Sequence, residues 1–463
     1  MKIIDERKIN QILLDSKKVT GSSVEKILEK SLRLQRLTLE ETAVLLSVDD
    51  SECISRIFTA ASIVKDRIYG RRVVIFAPLY IDNNCLNNCR YCAFRADNSL
   101  IRRKTLNIDE IKLQVERLLE KGHKRILMVA GESSGCEDDT VDYYVNAIKA
   151  VYDVKVGQDK IRRVNINCAP LSIDGFRKLK KAGIGTYQLF QETYHNETYR
   201  YVHPNGPKSD PDNRLDAINK AFKAGIDDVG IGVLFGLYDF KFDTLAMLMH
   251  IEYLERIFGI GPHTISVPRI EPAVGADFVR NLQFKVSDEE FKRIVAVLRL
   301  SVPYTGIILS TRETAKMRDE LFNFGVSQIS AESKTSPGGY ISEGFSECSG
   351  EQFSLSDNRT LDEVIGSLID KGFIPSFCAA CYRKERTGEA FMNLAKPGTI
   401  KGKCNLNALI TFKEYLDDFA SNDVKRKGYK LIEDTIQTLD NKTKDQLFQF
   451  FSDIRQGIRD EYV

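Results

Sequence analysis

From Arg72 onward the chain alternates short β-branched runs with amphipathic helical periods, and that rhythm limits the folds open to it. The runs are "VVIFAPL" (from Val73), "RILMVAG" (Arg125), "RVNINC" (Arg163), "TYQLFQ" (Thr186), "DVGIGVLFG" (Asp228), "TISVP" (Thr264), "GIILS" (Gly306) and "SQISA" (Ser327). Between them lie stretches such as "IDEIKLQVERLLEKG", "IDGFRKLKKAG" and "RLDAINKAFKAG", several closing on the glycine that commonly stops a helix. Strands separated by helices of this length form βαβ units and a parallel sheet. Eight such units close a (β/α)8 barrel of the TIM type, the expected fold class being α/β. An open doubly wound sheet is the other arrangement. No G-x-G-x-x-G follows the first run, which counts against it.

The flanks lack this alternation. Residues 1–65 read as a helical N-terminal segment, with Ser22 or Ser23 as the cap of "SSVEKILEKSL" and Thr38 as the cap of "TLEETAVLLSV". The barrel is assigned to 66–340 and a C-terminal domain to 341–463. The latter opens with the Gly- and Ser-rich "ESKTSPGGYISEGFSECSGEQFSLSD" and continues into helices. With 67 basic and 65 acidic residues the formal net charge is +2, so charge gives no reason to expect nucleic acid or an anionic membrane as partner. No apolar run reaches the ~18–20 residues that span a bilayer, and the start lacks the apolar core of a signal peptide. The expected location is cytoplasmic. In that reducing compartment ten cysteines point to metal binding or catalysis rather than disulfides.

Six of those cysteines fall in two triads. Cys85, Cys89 and Cys92 form C-x3-C-x2-C directly after the first strand, where barrel enzymes place their chemistry. Three thiolates at this spacing hold one face of a [4Fe–4S] cluster and leave the fourth iron open; a zinc knuckle with a remote fourth ligand is the structural alternative. Tyr91 precedes the third cysteine as an aromatic shield. Cys378, Cys381 and Cys404 form C-x2-C-x22-C, with no cysteine or histidine companion near Cys404. Here too the choice lies between an open [4Fe–4S] cluster and zinc with an external ligand.

The first triad, with an aromatic residue before its third cysteine, resembles the radical S-adenosylmethionine (SAM) superfamily. The resemblance implies that the open iron chelates SAM and that reduction yields a 5′-deoxyadenosyl radical. Gly131, Glu132 and Ser133 in "VAGES" match the segment that binds the SAM amino group, and "GIGVLFGL" (Gly230 to Leu237) the apolar motif beside the adenine. Asn167, Glu192 and Arg200 are expected on the same rim as further SAM contacts; each taken alone reads equally as a strand-end cap.

The second triad within "CAACYR", followed by "TGEAFM" and a distant cysteine, resembles the radical SAM tyrosine lyases that mature [FeFe]-hydrogenase; "FQETYH", "GPHTISVPR", "STRE", "SQISA" and "TSPGGY" add to it. That resemblance implies a lyase breaking the Cα–Cβ bond of L-tyrosine to p-cresol and dehydroglycine (2-iminoacetate). It further implies conversion to CO and cyanide at an auxiliary cluster bearing an additional Fe(II) with bound cysteine. Implied partners are an electron donor such as ferredoxin or flavodoxin and other hydrogenase maturation proteins. The C-terminal domain then becomes an Fe–S cluster-binding helical extension capping the far rim. The alternatives are a thiamine-pathway lyase that releases dehydroglycine, which needs one cluster only, and an Fe–S carrier or electron-transfer protein.

Among five histidines, His263 stands immediately before strand six, on the rim where the second cluster should dock. It is expected to ligate the extra iron through Nε2 or Nδ1, since imidazole suits Fe(II). His123 reads as a surface residue, His195 and His203 as flanking the SAM rim, and His250 as packed in its helix. A tyrosine carboxylate asks for a bidentate arginine. By resemblance the choice is Arg318, assisted by Ser330 or Ser333, with Arg269 and Arg312 along the channel. Glu271 stands where a basic residue is expected in many relatives. Cys53, Cys136, Cys168 and Cys348 lack metal spacing and read as small buried hydrophobes.

Overall fold

In the computed structural model the described residues are 3–16, 21–133, 135–341 and 350–463; Cys348 lies outside them. Every expected run is a strand: β1 Arg72–Asp82, β2 Arg125–Ala130, β3 Arg163–Asn167, β4 Tyr187–Glu192, β5 Val229–Val233, β6 Thr264–Ser266, β7 Gly306–Leu309 and β8 Gln328–Ser330. They pair in chain order and in parallel. Closure comes from Val74, Ile75 and Phe76 of β1 against Gln328, Ile329 and Ser330 of β8. The fold is a (β/α)8 barrel.

A further strand was not expected. β9, Ile374–Ser376, pairs in parallel with Arg72, Val73 and Val74 at the very start of β1. Val74 thus has Gln328 on one edge and Ser376 on the other. β2 joins β1 only from Ala77, so β9 fills the edge left bare below it. "IPS" holds a proline, which removes one ladder donor, and it is tolerated in so short an edge strand. Residue 340 lies within the connection from β8 to helix Leu361–Asp370, which leads into β9.

The N-terminal segment is helical, as expected. Thr38 caps Leu39–Ser47 in a reciprocal capping box with Glu41. The second helix begins at Gly21, so Ser22 and Ser23 lie inside it rather than at its cap. Ser51–Tyr69 packs on barrel helix Asp288–Ser301 and also meets Ile400–Asp418 of the C-terminal helices. Ile400–Asp418 in turn packs on β9. Among the described residues no helix is long and apolar enough to cross a membrane.

Candidate functional site

The barrel interior is a cavity of about 210 Å³ reached from the C-terminal rim. Its wall includes Tyr80, Val129, Asn167, Gln188, Ser266, Ile308 and Ser330, and Cys85, Cys89 and Cys92 stand at its mouth. The cysteine loop is fastened at both ends. Asp82 Oδ1 accepts from Asn84 N at 2.9 Å and Thr105 Oγ1 at 2.8 Å, and Arg103 Nη1 donates to the carbonyls of Asn83 and Phe94 at 2.8 Å each. Leu86 N donates to the Glu132 carbonyl at 2.7 Å, binding the loop to "GES". Gly131 is required there, because a Cβ would overlap the Asn84 carbonyl oxygen.

Burial pushes the Cys89 thiol up to about 12, against the opposing pull of Lys208, and pushes Cys92 up to about 11. Such thiols ionise when a metal takes them, since a coordinating cation offsets the cost of the buried charge. Three soft donors on one braced loop, with open cavity beside them and a cradle at Gly131, fit an iron–sulfur cube. Among the described residues no three His, Cys, Asp or Glu side chains converge as ligands of one metal ion. A cube, whose thiolates each bind a separate iron, does not ask for that.

Beside the triad a charged cluster forms around Glu192. This residue has φ of 72°, an uncommon conformation for a side-chain-bearing residue, at a register shift between β4 and β5. Burial raises its carboxyl, but Lys208 and Arg214 outweigh that, and the net effect is a pKa below the ordinary value. Lys208 Nζ reaches Glu192 Oε1 at 2.6 Å and Tyr91 OH at 3.0 Å, and Tyr91 OH meets His203 Nε2 at 2.9 Å. Asn87 Nδ2 donates to Glu132 Oε2 at 2.6 Å.

Of the residues expected to touch SAM, Gly131, Glu132, Asn167, Glu192 and Tyr91 line the cavity; Ser133 and Arg200 do not. Arg200 is exposed on helix Asn196–Val202, its Nε bonded to Asn196 Oδ1 at 2.9 Å. Lys208 and Arg214 supply the cations at this rim instead. Neither stands in a motif, and both arrive only because the segment after β4 folds back over the rim. His195 stacks on Tyr238 at 3.8 Å, and His250 is packed, Nδ1 to Tyr194 OH at 2.9 Å. His123 is fully buried, not a surface residue, and burial lowers its pKa to about 3. Cys136 is exposed rather than buried and caps helix Glu137–Asp153.

Arg318, expected to hold the substrate carboxylate, stands away from the cavity. It is fully buried, salt-bridged to Asp357 and bonded to the Ser330 carbonyl. Arg269 is held by Glu313 and by Asp288 Oδ1 at 2.9 Å, likewise off the cavity. Arg312 does line it, lying 3.3 Å over the Phe353 ring, and its guanidinium makes no hydrogen bond among the described residues. Ser333 Oγ and Thr311 Oγ1, on the same wall, are buried without partners, while Ser330 Oγ accepts from Thr311 N at 3.2 Å. Glu271 is half-buried beside Glu313, and its pKa rises to about 7, first through burial and then through that neighbour.

The second triad sits at the opposite rim. β9 ends at Ser376, and Cys378 and Cys381 follow at once. Ala380 N points to Cys378 Sγ at 3.3 Å. Cys404 is brought by helix Ile400–Asp418. The Arg125 guanidinium binds the Cys378 carbonyl, and the Arg72 charge lies close to Cys404. Arg72, Arg125 and Arg163 open β1, β2 and β3, while Asp228 and His263 immediately precede β5 and β6, so all five belong to the N-terminal rim. Burial raises Cys378, and raises Cys381 to about 12. It lowers His263; Asp228 resists this, and the arginines at positions 125, 72 and 163 add to it, which keeps the imidazole in its neutral, ligating form. Three thiols with a neutral imidazole fit a cluster with an added iron. The eleven residues of β1, at ~3.3 Å each and tilted by about 36°, set the rims roughly 25–30 Å apart.

Comparison with known proteins agrees with this layout. Residues 79–251 match the radical SAM superfamily, and residues 266–374 match the Biotin and Thiamin Synthesis associated domain. The 2-iminoacetate synthase of Escherichia coli (strain K12) is 30% identical over 348 residues, 75% of this chain and 88% of that protein. A crystal structure of HydG, a maturase of the [FeFe]-hydrogenase, superposes with a TM-score of 0.96 at 46% identity, covering 100% of both chains. The X-ray structure of the FeFe-hydrogenase maturase HydG from Carboxydothermus hydrogenoformans gives 0.84 at 41% identity, covering 96% of this chain and 97% of that one.

Proposed function

The chain belongs to the radical SAM family that includes 2-iminoacetate synthase and the HydG maturases, and from that premise we propose the division of labour between its two rims. It is a radical SAM lyase that cleaves the Cα–Cβ bond of L-tyrosine to p-cresol and dehydroglycine for [FeFe]-hydrogenase maturation. Dehydroglycine passes along the barrel and is converted to CO and cyanide at the second triad.

When bound, SAM and a [4Fe–4S] cluster at Cys85, Cys89 and Cys92 would supply a 5′-deoxyadenosyl radical, and an auxiliary cluster with a cysteine-bound Fe(II) would supply a metal site for CO and cyanide. The chain does the rest. The "GES" segment and Asn167 receive SAM beside the first triad. Arg312 clamps the tyrosine carboxylate with two parallel hydrogen bonds, and Ser333 and Thr311 offer their unpartnered hydroxyls to the same end of the substrate. Arg318 holds Ser330 and Asp357 in place behind them. The barrel wall excludes water along the path, which protects reactive products. Cys378, Cys381, Cys404 and His263 hold the metals of the second site.

The observation that carries this reading is the placement of two three-cysteine sites on opposite rims of one barrel. A lyase that only releases dehydroglycine needs the first alone. The reductant is a ferredoxin or flavodoxin, and the product acceptor another maturation protein. The test is anaerobic reconstitution with SAM and tyrosine, followed for p-cresol and for CO trapped by haem. Both products are expected. p-Cresol without CO overturns the role of the second site, and deoxyadenosine without p-cresol overturns tyrosine as substrate.

A further inference from the structure

At the second site one buried carboxylate has no assigned work. Asp228 is 1% exposed, and neither of its oxygens is answered by a hydrogen bond of good geometry. A carboxylate so placed costs several kcal/mol unless something answers it. His263 faces it, with Nδ1 3.7 Å from Oδ2. A small rotation of the ring closes that gap to a hydrogen bond.

Both residues are fixed by their backbones. Tyr187 N donates to the Asp228 carbonyl at 3.1 Å, and His263 N donates to the Val229 carbonyl at 2.9 Å. They therefore stand side by side at the starts of neighbouring strands. Phe391 lies 4.2 Å from the imidazole and limits its freedom on another side. The Tyr382 hydroxyl approaches the same carboxylate, and Tyr382 directly follows Cys381. Arg163 stacks 2.9 Å over the Tyr382 ring, and the Tyr382 hydroxyl lies 3.1 Å from Thr186 Oγ1. The cysteine loop and the histidine thus meet at one carboxylate.

We infer that Asp228 is the positioning residue of the auxiliary site: it receives the Nδ1–H of His263, which leaves the lone pair on Nε2 for the extra iron, and it ties the Cys381–Tyr382 turn to that histidine. Metal-binding histidines generally give their other N–H to a carboxylate or carbonyl, which fixes the tautomer and raises ligand basicity. The inference rests on the assignment of His263 as an iron ligand.

Two measurements on the full-length, cluster-reconstituted protein test it. The first is electron–nuclear double resonance on the extra iron, in protein labelled with 15N at Nε2 or at Nδ1 of histidine. Strong coupling from the Nε2 label is expected; strong coupling from the Nδ1 label overturns the proposed orientation, and this reading needs no variant. The second is Fe(II) titration of Asp228→Asn, read by the high-spin EPR signal. Binding of the extra iron is expected to weaken about 10–100-fold, the usual consequence of losing such a partner. The isosteric amide can present a donor to Nδ1 and so favour the wrong tautomer, as in other His–carboxylate pairs. If His263→Asn loses the iron while Asp228→Asn keeps it within about twofold, Asp228 has no such role and the ligand assignment stands. If His263→Asn keeps the iron, the ligand assignment fails and this inference with it.

Discussion

The two cysteine triads have the same number of thiols but are built in opposite ways. Cys85, Cys89 and Cys92 come from a single loop, braced by Asp82 and Arg103 and pressed onto Gly131. Cys378, Cys381 and Cys404 come from a turn and a helix separated in sequence, and meet only because β9 docks on the bare edge of β1. Charge differs too. At the first rim the cations Lys208 and Arg214 are answered by Glu192. At the second, three arginines open the first three strands, with Asp228 as the acid among them. The first site is a self-contained motif that any barrel of this kind can carry. The second is an assembly of the whole fold, with three arginines at its strand starts.

The comparison breaks most sharply if the sites cannot be separated. Cys89→Ala removes a ligand from the first triad, and deoxyadenosine, p-cresol and CO should all fall to background. Cys404→Ala removes a ligand from the second. CO should fall to background while p-cresol is still formed, as measured in one assay by chromatography and haem trapping. Loss of deoxyadenosine in Cys404→Ala would mean that the rims are coupled, contrary to the picture of two ends joined by a path.

The same contrast decides what was legible in the sequence. All eight barrel strands could be read from β-branched runs between helical periods, and the first triad from its spacing. β9 could not: three residues, one a proline, acquire strand character only from the edge of β1. Side-chain direction was the other blind spot. Arg200 sits one turn along a surface helix, whereas Lys208 and Arg214 in the same connection reach Glu192, and nothing local to the sequence separates them. His123, between two lysines or nearly so in "KGHKR", looked exposed; burial there is set by the helices that pack over the barrel base. Arg312 and Arg318 lie on the same connection, and only the ion pair of Arg318 with Asp357 and the place of Arg312 on the cavity wall tell them apart.

That last distinction yields a smaller but cleaner effect. Arg312→Gln should raise KM for tyrosine about 10–150-fold, the worth of a charge-assisted hydrogen bond of ~1.5–3 kcal/mol, with thermal stability nearly unchanged. Arg318→Leu should do the reverse. It strands the buried Asp357, which costs about 3 kcal/mol even though Arg359 Nη2 also reaches that carboxylate at 2.7 Å. Melting temperature should drop markedly, and KM should shift only as far as Ser330 moves. A large KM effect confined to Arg318→Leu would exchange the two roles.

The smallest effect sharpens the picture of the first site as a braced unit. Asp243, on helix Phe240–Phe258, is fully buried and accepts from Thr193 Oγ1 at 3.0 Å and Tyr194 N at 2.8 Å, just past Glu192. Burial raises its pKa to about 7, with those hydrogen bonds pulling the other way. A carboxyl whose folded pKa lies above its unfolded value near 3.8 holds a proton that the unfolded chain has released. The folded state then binds more protons, so this group's contribution to stability falls as pH rises from about 4 to about 7 and levels off above that. One proton sets a limit of about 1.4 kcal/mol per pH unit. Asp243→Asn keeps the side-chain acceptor and removes the titration. Urea unfolding followed between pH 4.5 and pH 8 should therefore lose that downward slope in the variant relative to the parent. An unchanged slope would place Asp243 as an ionised residue, and the support beneath Glu192 would then be a charge rather than a neutral strut.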